Sequence, residues 1–287
     1  MNQWKIGDVL VTRIVEMEVA GGTKFILPEA TREACLPIGW MQPNFMDSEG
    51  NLIMSIHALI IDTGEKRIIV DTCVGNDKKR NIPSWSNLQT NFLKDLEEAG
   101  YPKESIDLVM CTHLHVDHVG WNTMLVNNEW IPTFSNARYL IAEKEWRYWD
   151  ANEDEDLYGP VIADSVRPIV DAEMVDFVDD HFRLCKEVSL IPTPGHTPGH
   201  VSVLITSKKK KALITGDFIH HPVQMTKTDW CSSADYDQAQ GQITRETLLE
   251  KYVDRDILII GTHFATPTAG YIKRLEEGGY WLDVSNL

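Results

Sequence analysis

The chain is short of basic residues: 27 lysines and arginines stand against 43 aspartates and glutamates, for a formal net charge of −16. A nucleic-acid-binding face needs a basic footprint, so no DNA or RNA partner is expected. Long apolar runs are also missing. No stretch approaches the roughly 18 apolar residues of a membrane-spanning helix, so no membrane partner is expected either. The opening MNQWKIGDVLVTRIVE has neither the apolar centre nor the small-residue cleavage site of a signal peptide. Cysteine is sparse. Cys35, Cys73, Cys111, Cys185 and Cys231 are odd in number, widely spaced and without a CxxC pair, which argues against a disulfide framework and a zinc knuckle. The expectation is a reduced, cytoplasmic protein. The one dense basic run, Lys208 to Lys211, lies between strand-like segments and reads as a solvated hairpin turn.

What is present suits an enzyme-sized globular unit. With 287 residues and 43% hydrophobic content, one domain over 1–287 can bury a substantial core. Residues 5–20 read as an opening strand pair, and 53–61 and 66–71 as strands around a DTGE turn. Between them, 21–52 is a long loop rich in Gly, Pro, Met and aromatics. Loops of that length are usually functional or form an interface. Leu88, Phe92, Leu93 and Leu96 predict a helix over 85–99, capped by Ser84 or Ser86 and ended by Gly100. Strands are expected at 106–112, 138–141, 173–178, 188–192, 200–206, 211–216 and 256–260. Helices are expected at 142–150, 235–252 and 268–276, and a solvated acidic helix end or loop at 150–156. Strands followed by helices in each half give an α+β class, with two sheets face to face and helices outside.

The chemistry concentrates in CTHLHVDHVGWN, residues 111–122, which follows an apolar strand and carries His113, His115, Asp117 and His118. His196 in PGHTP, Asp217 in TGD and His263 in GTH each follow a further apolar strand. Imidazole and carboxylate donors suit zinc first, and also iron, manganese or cobalt. We assign His113, His115 and His196 to one ion and Asp117, His118 and His263 to a second, with Asp217 bridging them. Two such ions lower the pKa of a shared water from 15.7 toward roughly 7, which yields a hydroxide nucleophile at neutral pH. A lone His-x-His pair is more often a core or turn feature. Five histidines and two aspartates in post-strand turns are not explained that way.

These motifs resemble the metallo-β-lactamase superfamily. HxHxDH fits 113–118, and the VDT segment at Asp71, PGHTPGH at 194–200, GD at 216–217 and GTH at 261–263 fit as well, so the resemblance spans nearly the whole chain. It implies an αβ/βα four-layer sandwich with the site at one edge of the sheets. It also implies that Asp71 holds the site without ligating, and that His200 lies outside the ligand set. Class B β-lactamases usually vary this motif or place cysteine where Asp217 stands, so β-lactam opening is a lesser expectation. The resemblance points instead to N-acyl-homoserine lactonases, quorum-quenching enzymes, and their methyl parathion hydrolase and 4-pyridoxolactonase relatives. Those lactonases place a tyrosine shortly after the bridging aspartate, whereas this chain offers His220 and His221.

The expected reaction is opening of a small-molecule lactone or ester by a metal-bridging hydroxide. Asp117 or Asp217 would shuttle the proton, and His220 or His221 would assist the carbonyl. Aryl ester or organophosphate triester hydrolysis is the alternative, and a non-catalytic metal-binding scaffold the remote one. Phe25, Trp40, Phe45, Trp121, Met225 and Phe264 are the expected pocket wall. The 21–52 loop equally fits a homodimer interface. Trp146 and Trp149, at helical spacing, are expected in the core or an interface.

Overall fold

Strand alternation sorts the apolar residues of this chain onto two faces, and that sorting builds the layers. The computed structural model describes residues 3–152 and 157–285, so residues 153–156 of the expected acidic stretch lie outside it. The first sheet contains β1 (Gln3–Ile6), β2 (Val9–Ala20), β3 (Ile53–Asp62), β4 (Arg67–Val70) and β5 (Leu108–Cys111). A separate hairpin of β6 (Thr123–Val126) and β7 (Glu129–Pro132) follows, and β8 (Arg138–Ala142) and β9 (Val175–Val178) complete the first sheet in the order β1-β2-β3-β4-β5-β8-β9. The second sheet runs β10 (Val188–Pro192), β11 (Val201–Ser207), β12 (Lys210–Ile214), β13 (Leu258–Ile260), β14 (Ala269–Arg274) and β15 (Tyr280–Asp283), each beside the next.

Along β4, Ile68 and Val70 enter a core shared with the second sheet, while Ile69 faces the other way. Ala212 and Ile214 of β12 and Leu258 and Ile260 of β13 meet them from the opposite sheet. Buried side chains of this kind contribute about 1.5–3 kcal/mol each. Helices cover the two outer faces. α1 (Arg32–Cys35), α2 (Phe92–Glu98), α3 (Glu143–Ala151), α4 (Arg167–Asp171), α5 (Val223–Thr226) and α6 (Gln238–Tyr252) are the α-helices among the described residues. Phe92, Leu96 and Ile169 pack on the first sheet, and Val223, Leu248 and Tyr252 on the second. This is the αβ/βα sandwich expected from the sequence.

Three segments depart from expectation. The helix expected at 85–99 is confined to Phe92–Glu98. Upstream, hydrogen bonds fold the chain into turns: Thr90 N donates to Asn76 Oδ1, Asn87 N to the Lys78 carbonyl, and Arg80 N to Ser86 Oγ. The helix expected at 268–276 is the hairpin β14–β15, turned through Gly278 and Gly279, both at positive φ. A glycine pair between apolar runs is a hairpin signal that outweighs the helical spacing. The 21–52 segment is largely a packed layer. Leu27, Cys35, Ile38, Met41, Phe45, Met46 and Leu52 are buried against the second sheet and its helices.

Candidate metal centre

Strands β4 and β5 run parallel, as do β12 and β13, and their C-terminal ends open into the turns that carry Asp71, His113–His118, Asp217 and His263. β10 delivers His196 in the same way. Rigid sheets thereby bring residues nearly 150 positions apart to one point.

Four of the histidines are oriented by a hydrogen bond at Nδ1. Thr112 Oγ1 donates to Asp71, so the His113 Nδ1–H donates to Thr112 Oγ1 at 3.1 Å. His118 Nδ1 donates to Asp71 Oδ2 at 2.9 Å, His196 Nδ1 to Asp235 Oδ1 at 2.8 Å, and His263 Nδ1 to the Ser55 carbonyl at 3.0 Å. In each ring Nε2 is left facing inward, the arrangement by which outer hydrogen bonds aim metal-binding imidazoles.

The nitrogens converge on Asp217. Its Oδ2 lies 3.8 Å from His113 Nε2, 3.3 Å from His118 Nε2, 3.5 Å from His196 Nε2, 3.1 Å from His263 Nε2 and 3.2 Å from His220 Nε2. Asp117 stands 3.7 Å from the Nε2 atoms of both His118 and His263. Donor atoms of His113, His115 and His196 lie within 4.8 Å of one another, and so do those of Asp117, His118 and His263. His113 Nε2, His196 Nε2 and Asp217 Oδ1 are buried with no hydrogen-bond partner. Buried polar atoms left unpaired are costly unless something else satisfies them. The donor set fits two divalent cations, one per triad, with Asp217 between.

Electrostatics agree with that fit. Burial would raise the Asp217 carboxyl, but His263, His118 and His220 outweigh it and hold it well below the usual carboxylate range. Burial, reinforced by His118, holds His113 well below the usual histidine range. Burial takes His115 down to about 4. His118 and His263 are the exceptions: against burial, Asp217 and Asp71 raise His118 and Asp217 raises His263, so a cation there competes with a proton.

Asp71 contacts Thr112 and His118. His200 Nε2 accepts the Asp217 backbone N–H at 2.7 Å while its Nδ1 faces Thr193 Oγ1. Burial lowers His200 to about 3, so it stays neutral and holds the Asp217 turn.

A cleft of about 640 Å³ opens over the centre, lined by His115, Asp117, His196, Asp217, His220 and His263 at its floor. Met17, Ile26, Met54, Ile56, Trp85 and Tyr158 are among its walls. Of the expected pocket residues, Phe25 lines it, with its ring edge-on to Tyr158. The other five do not. Phe45, Met225 and Phe264 are fully packed under the second sheet's helices, and Trp40 lies against them with Nε1 donating to Thr226. Trp121 stacks on Phe92 and donates to Glu16 Oε1. Their size and hydrophobicity served core burial. His221 is also turned away: Val223 N donates to its Nδ1, and its Nε2 donates to the Phe45 carbonyl. Trp149 is buried beside His115, and Trp146 stacks on Phe177.

Three carboxylates escaped the sequence reading. Asp235 orients His196, and Glu145 links the His113–His115 turn to the His196 turn. Glu16 sits at a bulge in β2, from which it receives Val74 N, Gly75 N and Trp121 Nε1.

A two-sheet sandwich with a His/Asp cluster at the strand ends defines a class of metal-dependent proteins. Residues 54–263 match the family model of the metallo-beta-lactamase superfamily, and the chain belongs to that superfamily. Among curated relatives, an N-acyl homoserine lactonase of Bacillus sp is 26% identical over 180 residues, 58% of this chain and 64% of that protein. A probable metallo-hydrolase of Methanocaldococcus jannaschii is 29% identical over 150 residues, 52% of this chain and 50% of that one. The chain thus spans less than two thirds of the length of these relatives. Among solved structures, the hydrolase AbOPH of the beta lactamase superfamily superposes with a TM-score of 0.80 at 21% identity, over 98% of this chain and 96% of its own. AidC, a dizinc quorum-quenching lactonase in complex with a product, gives a TM-score of 0.78 at 22% identity, over 99% and 97%.

Proposed function

We propose that this chain is a dinuclear-metal hydrolase that opens lactones. The observation that carries the reading is the cluster of inward-facing Nε2 atoms around Asp217, set at the floor of a largely apolar cleft. His113, His115 and His196 would hold one ion and Asp117, His118 and His263 the other, with Asp217 available to both. Zinc is the proposed metal, as in the dizinc AidC. When bound, two such ions supply an activated water at neutral pH and Lewis-acid polarisation of the carbonyl.

The chain's own groups do the rest. The apolar walls seat an uncharged substrate and exclude bulk water. No lysine or arginine lines the cleft among the described residues, so an anionic substrate finds no side-chain counter-charge there. Asp117 faces the cleft and takes the proton from the attacking water for delivery to the leaving alkoxide. His220 is the proposed donor to the oxyanion that develops on the carbonyl oxygen: it lines the cleft floor with Nε2 3.2 Å from Asp217 Oδ2, whereas both His221 nitrogens bond backbone. N-acyl homoserine lactones are the first substrates to try, given the name of the Bacillus relative, and cleavage of such signals would make the chain a quorum-quenching enzyme. The aromatic side chains Phe25, Trp85 and Tyr158 favour aryl esters and uncharged phosphotriesters as the second reading.

A panel compared by kcat/KM tests both: γ- and δ-lactones, aryl esters, thioesters, a phosphotriester and a cephalosporin. Lactones are expected to lead. Lactone values orders of magnitude below the aryl ester or phosphotriester would overturn the primary reading in favour of the second.

A further inference from the structure

One buried carboxylate spans the two turns that carry His113, His115 and His196. Glu145, in the first turn of α3, is 1% exposed. Its Oε1 accepts from Leu114 N at 3.1 Å and Trp149 Nε1 at 2.8 Å. Its Oε2 accepts from Thr197 Oγ1 at 2.7 Å and Gly199 N at 3.0 Å. Leu114 lies between His113 and His115, and Thr197 directly follows His196. Gly199 packs so closely that a Cβ there would lie 2.2 Å from Glu145 N. The other half of the centre is held elsewhere. His118 is anchored by Asp71, and His263 by Ser55, whose N–H also donates to the His263 carbonyl at 3.0 Å.

We propose that Glu145 is the positioning residue of the His113–His115–His196 half-site, setting that site's metal affinity separately from its neighbour's. The proposal rests on the two-ion assignment above. Both carboxylate oxygens accept two donors each. An amide keeps one such oxygen and presents an NH2 to the other pair, so one of the two turns loses its anchor and is pushed away. The spacing between the turns then drifts while Asp117, His118 and His263 keep their own supports.

The test is stepwise Co(II) titration of the metal-free wild-type chain and Glu145→Gln, followed by electronic absorption, with the metal-free Tm measured alongside. Wild type is expected to take up two ions. The variant is expected to take up one with wild-type affinity and the second about 10–100-fold more weakly, the usual scale for a lost outer hydrogen bond. Two ions at wild-type affinity would overturn the role of Glu145. Equal weakening of both, in step with a lower metal-free Tm, would reduce it to general folding and overturn it as well. A wild-type chain that takes up no second ion overturns the two-ion assignment, and the proposal with it. If Glu145→Gln does not fold, Thr197→Val removes a single one of the four bonds at constant volume, and the same one-sided loss is expected, smaller in size.

Discussion

His220 and His221 are adjacent in sequence and opposite in situation. Both His220 nitrogens are buried without a hydrogen-bond partner, and its Nε2 faces Asp217 over the cleft floor. Both His221 nitrogens are engaged by backbone, and burial takes it down to about 4. Substitution should therefore split them. His220→Phe is expected to lower kcat by about 10²–10³-fold, the scale of a lost oxyanion donor, with little change in Tm. His221→Phe is expected to cost about 1–3 kcal/mol of stability, because it orphans the Val223 N–H and leaves the Phe45 carbonyl with Ile53 N–H alone, and to spare kcat. Turnover and thermal unfolding of both variants decide it, and the reverse pattern would exchange their roles. The sign of the pH effect follows. An imidazole at about 4 when folded and 6.5 when unfolded binds fewer protons in the native state. Its contribution is fully present above 6.5 and is lost as pH falls toward 4.

At the scale of elements, the long crossover between β4 and α2 is pinned by a buried ion cluster. Arg80 Nη1 and Nη2 donate to Asp164 Oδ2 and Oδ1 at 2.6 and 2.8 Å, and Lys78 Nζ lies 3.6 Å from Oδ1. Burial takes the Lys78 amine down to about 7 against the pull of Asp164. Asp164→Ala leaves Arg80 buried and unpaired, and is expected to cost about 3–5 kcal/mol in urea unfolding. Lys78 keeps its proton when folded only below about 7, so the Lys78 share of that loss is present at pH 6 and gone at pH 9. An equal loss at both pH values would remove Lys78 from the account. This segment is also where helix prediction overreached. The spacing of Leu88, Phe92, Leu93 and Leu96 is helical, yet the Asn76 and Ser86 side chains supply the upstream backbone with other partners. Propensity and spacing do not register such competition.

For the whole molecule, the proposed centre joins both halves of the sandwich, so binding of the proposed ions would be coupled to folding. Chelation should lower Tm by about 5–10 °C if the ions are present at about 100 times their Kd, and re-addition should restore it. A Tm indifferent to chelator would remove the ions from the folding equilibrium. The ligand motifs were legible in the sequence because each is local: a strand run followed at once by its His or Asp. The two-sheet layering was legible for the same reason, since alternation within one strand already says which residues face which core. Glu145, Asp235 and Glu16 were not legible, because their long-range partners lie 31 to 105 positions away and each looks like any surface acid in sequence. The large apolar side chains misled in the opposite direction. Phe45, Phe264, Met225 and Trp121 have the composition of a ligand pocket, but the same apolar surface packs equally well in a core. The sequence by itself determined which imidazoles and carboxylates follow strand ends, and the chain order of those strands. Only the tertiary structure decided which apolar residues line the cleft, which histidine faces it and which carboxylates aim the rings, because those depend on distances between segments that chain order does not encode.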